Sequence, residues 1–401
     1  MSGIVIIGAG QAGSSLALKL RALGYDGDVT LIGDEPVPPY QRPPLSKTYL
    51  LGDMALDRLY LRHRDLYTEQ LISLRLNIQV TTINSAENSI SIGDETLSYD
   101  HLALTTGSTP RLLPAAIGGR LDGVFAVRSL ADVDAMQPAF GRGGHVLIIG
   151  GGYIGLEAAA VAAAKGLKVT LVEMADRILQ RVACGETSDY FRALHQSHGV
   201  TILEGVGLER LTGEGHVTGA ALSNGQTLEI DFAIVGVGIL PSTGLAEAAG
   251  LTLNNGIETN SQGQTSVPNI WAAGDCASFP YQDGRIRLES VPNAIDQAEV
   301  VAANMMGAGQ DYTATPWFWS DQYSVKLQIA GLNTGFTDVV VRDSGTARSH
   351  WYYKSGALLA VDAMNDPRSY MVAKRLIVSA KSADLAIAAY LQIDLKALLQ
   401  G

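Results

Sequence analysis

Two stretches of this chain, GIVIIGAGQAG from residue 3 and HVLIIGGGYIG from residue 145, spell one device twice. Each runs a short apolar segment, suited to a buried parallel strand, into G-x-G-x-x-G and then into an alanine-rich stretch that reads as a helix. In the first copy the glycines are Gly8, Gly10 and Gly13, and the next strand, DVTLIGDE, ends in acid at Asp34, 21 positions after Gly13. In the second they are Gly150, Gly152 and Gly155, and the strand KVTLVE closes on Glu173, 18 positions after Gly155. The glycines permit a tight turn, close approach of backbone to a pyrophosphate and tight packing of helix on strand. An acid about 20 residues on accepts the ribose hydroxyls. The helix N-terminus between them offers unpaired N–H groups and a positive dipole end to phosphate. One such motif is a common structural turn; two complete strand–turn–helix–strand–acid units predict an α/β chain with two Rossmann-like dinucleotide-binding domains.

Length allows for both. At 401 residues the chain exceeds one ordinary domain, and with 47% hydrophobic and 17% charged residues it is not a mainly disordered protein. No window approaches about 18 consecutive apolar residues, and no basic n-region or cleavage site precedes the first strand, so neither a membrane span nor a signal peptide is expected, and the chain reads as cytoplasmic. The net charge of −11 repels a polyanion and argues against nucleic acid as partner. One local exception is basic, with Arg58, Arg62 and Arg64 shortly after Arg42 and Lys47. Only two cysteines occur, Cys184 and Cys276, with no C-x-x-C, so a redox-active local disulfide has no candidate. The histidines do not cluster with cysteines along the sequence, and no metal site is expected.

Read along its length, the chain divides into a first domain at 1–109, an inserted second dinucleotide domain at 110–228, a return to the first domain at 229–310 and a C-terminal α+β domain at 311–401. The return rests on DFAIVGVGILP and NIWAAGDCA, apolar runs that end in glycine like the opening strand. The tail alternates strand-like runs (SVKLQIAGL, DVVVRD, HWYYKSGALLAVDAM) and closes in a helix-like stretch, SYMVAKRLIVSAKS. A hairpin is expected around Asn224-Gly225.

The segments GAGQAG, PPYQRPPLSK, TTGSTPR, GGGYIGLE, GVGILP, AAGDCA, ESVPNA and PWFWSDQY, in this order, resemble the NAD(P)H-dependent, FAD-containing ferredoxin reductases of bacterial oxygenase systems, the putidaredoxin reductase group. The resemblance covers essentially the whole chain. It implies FAD on the first unit, with Gly8, Gly10, Ala12 and Gly13 at its pyrophosphate and Asp34 at its ribose, and further FAD contacts at Arg42, Lys47, Val80, Arg128, Asp275, Val291 and Trp319. It places NADH on the second unit, at Gly150, Gly152, Tyr153, Ile154, Gly155, Glu173 and Gly238. It implies catalytic roles for Lys47, Glu157 and Tyr153: Lys47 beside the reactive edge of the flavin, Glu157 keeping that lysine charged, and Tyr153 stacking over the ring. The local alternatives are a surface lysine, a helix-surface glutamate and a packed tyrosine. For Asp275 the alternative is an N-cap of the following helix, and for Trp317 and Trp319, on one face of a strand, a core stripe.

The function so implied is an NADH:ferredoxin oxidoreductase that takes hydride onto FAD and passes single electrons to a [2Fe–2S] ferredoxin supplying a cytochrome P450 or ring-hydroxylating oxygenase, as a monomer or weak homodimer. Rubredoxin reductase, NADH oxidase and monodehydroascorbate-type reductase share the fold, as does a redox-sensing binding protein like apoptosis-inducing factor, because cofactor sites do not fix the acceptor. For ferredoxin docking the sequence offers Arg58, Arg62, Arg64, Lys326, Arg285 and Arg287.

Overall fold

The computed structural model describes residues 3–392 and 394–399. Its chain divides into two compact units: one runs through Gln41 and comprises also Ala55–Thr109 and Ile239–Pro316, while the other comprises Arg42–Met54, Pro110–Gly238 and the segment from Trp317 onward.

In the first unit the opening strand, Gly3–Ile7, lies between Val29–Ile32 and Glu95–Leu104, all parallel. Ile72–Arg75 extends the sheet beyond Val29–Ile32, and Ile270–Ala272 pairs parallel with the second half of Glu95–Leu104. Strands buried on both faces read as continuous apolar runs, as GIVII does. The first half of Glu95–Leu104 pairs antiparallel with Ser89–Ile92, which in turn pairs with Thr82–Asn84. Two helices, Gln11–Ala22 and Val291–Met305, pack on the sheet through Leu16, Leu20, Val301 and a set of alanines that let them approach closely.

The second unit repeats the arrangement. Its parallel sheet runs Thr201–Glu204, Lys168–Glu173, His145–Ile149, Phe232–Val235, Val124–Ala126, with the helix Tyr153–Ala164 following the central strand. Here the structure corrects the expected return at 229. Phe232–Val235 pairs with His145–Ile149, so the run DFAIVGVGILP is not one strand of the first domain; its first half completes the second sheet and the chain passes to the first unit only at Ile239. Apolar character alone states that a strand is buried, not which sheet buries it. The expected hairpin is present, with Gly219–Leu222 paired to Thr227–Glu229 and Gly225 in the left-handed region at φ 82°.

The loop that holds PPYQRPPLSK, expected in the first domain at 1–109, is the second correction. Residues Arg42–Met54 belong to the second unit rather than to the first, because the 3₁₀ turn Pro43–Ser46 packs on the helix Tyr153–Ala164 and its Leu45 and Ser46 are buried. The C-terminal strands form one antiparallel sheet ordered Trp317–Gln322, Val325–Gly331, Ala357–Met364, Arg348–Lys354, Asp338–Asp343. The helix Pro367–Val378 covers it, capped by Asp366, which accepts from Ser369 N at 3.0 Å. Trp351, Tyr353 and Val361 of the sheet pack with Tyr370, Ala373 and Leu376 of the helix.

Candidate active site

Both glycine turns have the geometry their spacing predicts. A Cβ on Gly13 would stand 2.0 Å from the Gly8 carbonyl oxygen, and one on Gly155 2.1 Å from that of Gly150, so each helix start abuts its own turn and only glycine fits. Gly8 and Gly150 take φ 112° and 108°, where a side chain is strained. The middle glycines are different. A Cβ on Gly10 or Gly152 would meet nothing within 4 Å, which leaves open space at the helix mouth. Neither helix has a capping side chain or an acid in its first turn, although both start on glycine N-caps. Among the described residues the first-turn N–H groups thus meet no capping side chain, which fits a phosphate-bearing cofactor at each end.

The two fingerprint acids differ. Glu173 is half-buried and held by backbone: its Oε2 accepts from Gly151 N at 2.7 Å and its Oε1 from Ala175 N at 2.8 Å. The same contact explains a residue the motif leaves unspecified, for a Cβ on Gly151 would lie 2.7 Å from Ile178 and 3.1 Å from Glu173 Oε2. The middle glycine of the run GGG was the visible signal. Asp34 is exposed past the strand end, while the adjacent Glu35, which sequence reasoning passed over, accepts from the Tyr40 hydroxyl at 2.6 Å.

The remaining positions expected at FAD fall in both units. In the first, Ala12 and Val80 are buried, and Val291 opens the helix capped by Ser290. Asp275 accepts from Ser108 Oγ at 2.8 Å. The cap reading of Asp275 fails, because the chain beyond it enters the strand Ala277–Tyr281 rather than a helix. In the second, Arg42 donates to the Arg128 carbonyl at 2.7 Å, and Trp319 is packed with Trp317 at a ring separation of 5.6 Å. The tryptophans thus share a face, and Lys374 lies 4.4 Å over the Trp317 ring. At the second glycine turn Ile154 is exposed and Gly238, at φ 103°, accepts from Arg111 N at 2.9 Å.

Lys47 and Glu157 come together, 110 positions apart in sequence. Lys47 Nζ lies 3.1 Å from Glu157 Oε1 and 3.7 Å from Asp321 Oδ2. Glu157, only 5% exposed, also accepts from Ser46 Oγ at 2.7 Å and from Ser320 Oγ at 2.6 Å. Burial pushes its carboxyl up from the usual range while Lys47 and the two hydroxyls oppose that push. The helix-surface reading of Glu157 is therefore wrong, and Lys47 is no ordinary surface lysine. Tyr153, at the start of the same helix, packs its ring 4.9 Å from Phe318; its buried hydroxyl has no partner among the described residues, and burial raises it well above a normal phenol.

The cysteines are free and buried, and burial raises both thiols, which makes them poor nucleophiles. The expectation that histidines keep away from cysteines needs correction at one place. The C-terminal sheet brings His350 to Cys184, with Nδ1 3.9 Å from Sγ, and with Asp362 the ligating atoms lie within 4.8 Å of one another. The hydrogen bonds decide against a metal there. Arg348 Nε can only donate, and it lies 2.9 Å from His350 Nε2, so Nε2 is the acceptor and Nδ1 of the neutral ring carries the proton. That proton faces Thr187 Oγ at 2.7 Å, which donates to Asp362 Oδ2 at 2.7 Å. The group is a hydrogen-bonded core network.

The docking cations also sort themselves. Arg58, Arg62, Arg64 and Lys326 are exposed. Arg285 is spent on the carbonyls of Thr259 and Ser278 at 2.6 Å each, and Arg287 on those of Asn255 and Asp275 and on Glu289 at 2.5 Å.

Known proteins agree with this arrangement. Residues 2–298 match the model of the pyridine nucleotide-disulphide oxidoreductase family, and residues 317–399 match that of the reductase C-terminal domain. Rhodocoxin reductase of Rhodococcus erythropolis is 40% identical over 400 residues, 98% of this chain and 93% of its own length. Putidaredoxin reductase CamA of Pseudomonas putida is 41% identical over 384 residues, 93% of this chain and 91% of its own. The crystal structure of the covalent putidaredoxin reductase–putidaredoxin complex superposes with a TM-score of 0.96 at 38% identity, covering 100% of this chain and 98% of that one. Each glycine turn opens a helix that follows a parallel strand, as a dinucleotide such as FAD or NAD(P)H demands, and the matches span nearly the whole chain: it belongs to the pyridine nucleotide-disulphide oxidoreductase family, among its FAD-containing ferredoxin reductases.

Proposed function

We propose that the enzyme draws on NADH in preference to NADPH and delivers single electrons to a [2Fe–2S] ferredoxin that supplies an oxygenase. When bound, FAD supplies the conversion of a hydride into two separate electrons. The chain's own residues supply binding, orientation and charge. Gly8, Gly10, Ala12 and Gly13, with Asp34, Arg42, Val80, Arg128, Asp275, Val291 and Trp319, are the residues we assign to FAD. Gly150, Gly152, Tyr153, Ile154, Gly155, Glu173 and Gly238 are those we assign to the nicotinamide nucleotide.

The observation that carries the catalytic reading is the ion pair between half-buried Lys47 and buried Glu157. A cation held by a carboxylate out of water stabilises negative charge developing beside it more strongly than a solvated one. In this reading Lys47 is the charge that favours hydride arrival, and Glu157 keeps it protonated and aimed. Two buried, unreactive thiols support transfer from flavin to carrier without a disulfide. The resemblance to putidaredoxin reductase captured in covalent complex with putidaredoxin, and to relatives named ferredoxin reductases, supports a ferredoxin as acceptor. Anaerobic stopped-flow of the holoenzyme tests it: NADH should bleach the flavin, and an added [2Fe–2S] ferredoxin should restore its colour. Flavin reduction without ferredoxin reduction overturns the proposal.

A further inference from the structure

Glu157 stands at the end of a hydrogen-bond chain that the pairing with Lys47 does not use. Ser320, which donates to Glu157, lies 3.2 Å from Gln322 Nε2; Gln322 Oε1 lies 2.8 Å from His195 Nε2; and His195 Nδ1 lies 3.2 Å from the Tyr323 hydroxyl. Ser320, Gln322 and His195 are each 0% exposed. The chain surfaces at Tyr323, whose half-buried ring stacks at 3.7 Å on the exposed His198. All belong to the second unit.

The direction of every bond follows from one fact, the charge of Glu157. An ionised carboxylate is acceptor-only, so Ser320 spends its single hydrogen on it. Gln322 must then turn its NH₂ to Ser320 and its carbonyl to His195. His195 must carry its proton on Nε2, which leaves Nδ1 to accept from Tyr323. Reversing any link would set lone pair against lone pair among groups buried away from solvent, and an unmatched buried polar group is costly. Every donor thus points toward Glu157, and each polarises the next.

We propose that Tyr323, His195, Gln322 and Ser320 form a one-directional positioning relay that keeps Glu157 ionised and aimed at Lys47, which makes Ser320 and Gln322 determinants of hydride transfer without touching the cofactor. The inference rests on the assignment of Lys47 and Glu157 to that step. The charged groups at the carboxylate are Lys47 and, through Lys47, Asp321. Gln322 cannot pass a proton along, because its amide nitrogen gives up none, so the relay orients and does not conduct.

Spectra of the native holoenzyme and of its variants test this. In ¹⁵N-histidine spectra of the native protein at pH 7, His195 should be the Nε2–H tautomer, and Gln322→Met should release that lock. Ser320→Ala should slow flavin reduction at saturating NADH about tenfold with the Kd for NADH unchanged. It should also bring out at pH 7 the infrared band of a protonated carboxylic acid, assigned by its loss when Glu157→Gln is added. Ser320→Thr, which retains the hydroxyl, should restore both. An Nδ1–H tautomer in the native protein overturns the relay, as does native-rate reduction in Ser320→Ala and Gln322→Met when Lys47→Met is slow. If Lys47→Met also reduces at the native rate, the assignment of the ion pair fails, and the relay's role falls with it.

Discussion

Lys47 illustrates what a single residue contributes here and how little of it local sequence discloses. Its Nζ is fixed between Glu157 and Asp321, so replacement by methionine removes the charge while retaining the stem. Lys47→Met should retain FAD, because the glycine turn is untouched, and slow flavin reduction by NADH at least about tenfold, a loss of ~1.4 kcal/mol of transition-state stabilisation; single-turnover absorbance measures it, and an unchanged rate removes Lys47 from the site. Glu173 carries a second prediction. With its carboxylate pinned by two backbone N–H groups, it cannot swing from a 2′-phosphate, so kcat/KM should favour NADH over NADPH by at least about tenfold. Equal values for the two would contradict the assignment. The spacing of the second fingerprint made Glu173 legible from sequence. The Lys47–Glu157 contact was not, since 110 positions separate the partners and only the family resemblance joined them. The hydrogen bonds of Arg285 and Arg287 were not legible either, since the carbonyls that accept them lie up to 32 positions away.

At the scale of elements, the glycine turns are the part of the fold most firmly written in the sequence, because a 2.0 Å clash admits no alternative residue. Gly13→Ala should push the helix Gln11–Ala22 off the Gly8 carbonyl and yield protein that purifies with little FAD. Gly10→Ala, whose Cβ meets no protein atom, should fold but bind FAD more weakly. Flavin content after gel filtration distinguishes the two, and full occupancy in Gly13→Ala would contradict the close approach. Strand membership was less legible. Phe232–Val235 is as apolar as the opening strand, and nothing in its four residues states that its neighbour is His145–Ile149. The segment PPYQRPPLSK was not legible as part of the second unit, because that placement depends on Leu45 and Ser46 packing on a helix whose start lies more than 100 positions further on.

Across the whole molecule, buried titratable groups set a pH dependence of stability. Burial holds His195 and His350 down to about 4 from an ordinary 6.5, and pushes Asp362 up to about 6 from 3.8. Between pH 6.5 and 4 the unfolded chain binds more protons at the two histidines than the folded one, so their stability is present above 6.5 and is lost as pH falls. Asp362 acts oppositely between about 4 and 6 and offsets one of the two. Glu157, also raised, acts with Asp362, while His101 and His145, also lowered by burial, act with the other two histidines. With more lowered histidines than raised acids, the urea midpoint of the holoenzyme should be lower at pH 5 than at pH 7; an equal or higher midpoint would contradict the neutral buried histidines. The net charge of −11 sets the partner requirement, for an acidic carrier must be steered by local positive charge. Arg58→Glu, Arg62→Glu, Arg64→Glu or Lys326→Glu should raise the KM for ferredoxin severalfold and leave NADH–ferricyanide activity intact. Insensitivity both to these changes and to salt would point to an apolar interface instead. The central claim, direct passage of electrons from NADH through this chain to an iron–sulfur carrier, is tested most directly by anaerobic stoichiometry. Limiting NADH, catalytic holoenzyme and excess oxidised [2Fe–2S] ferredoxin should give about two reduced ferredoxins per NADH, each accepting one electron. NADH consumed only when oxygen is admitted, with the ferredoxin left oxidised, would contradict it.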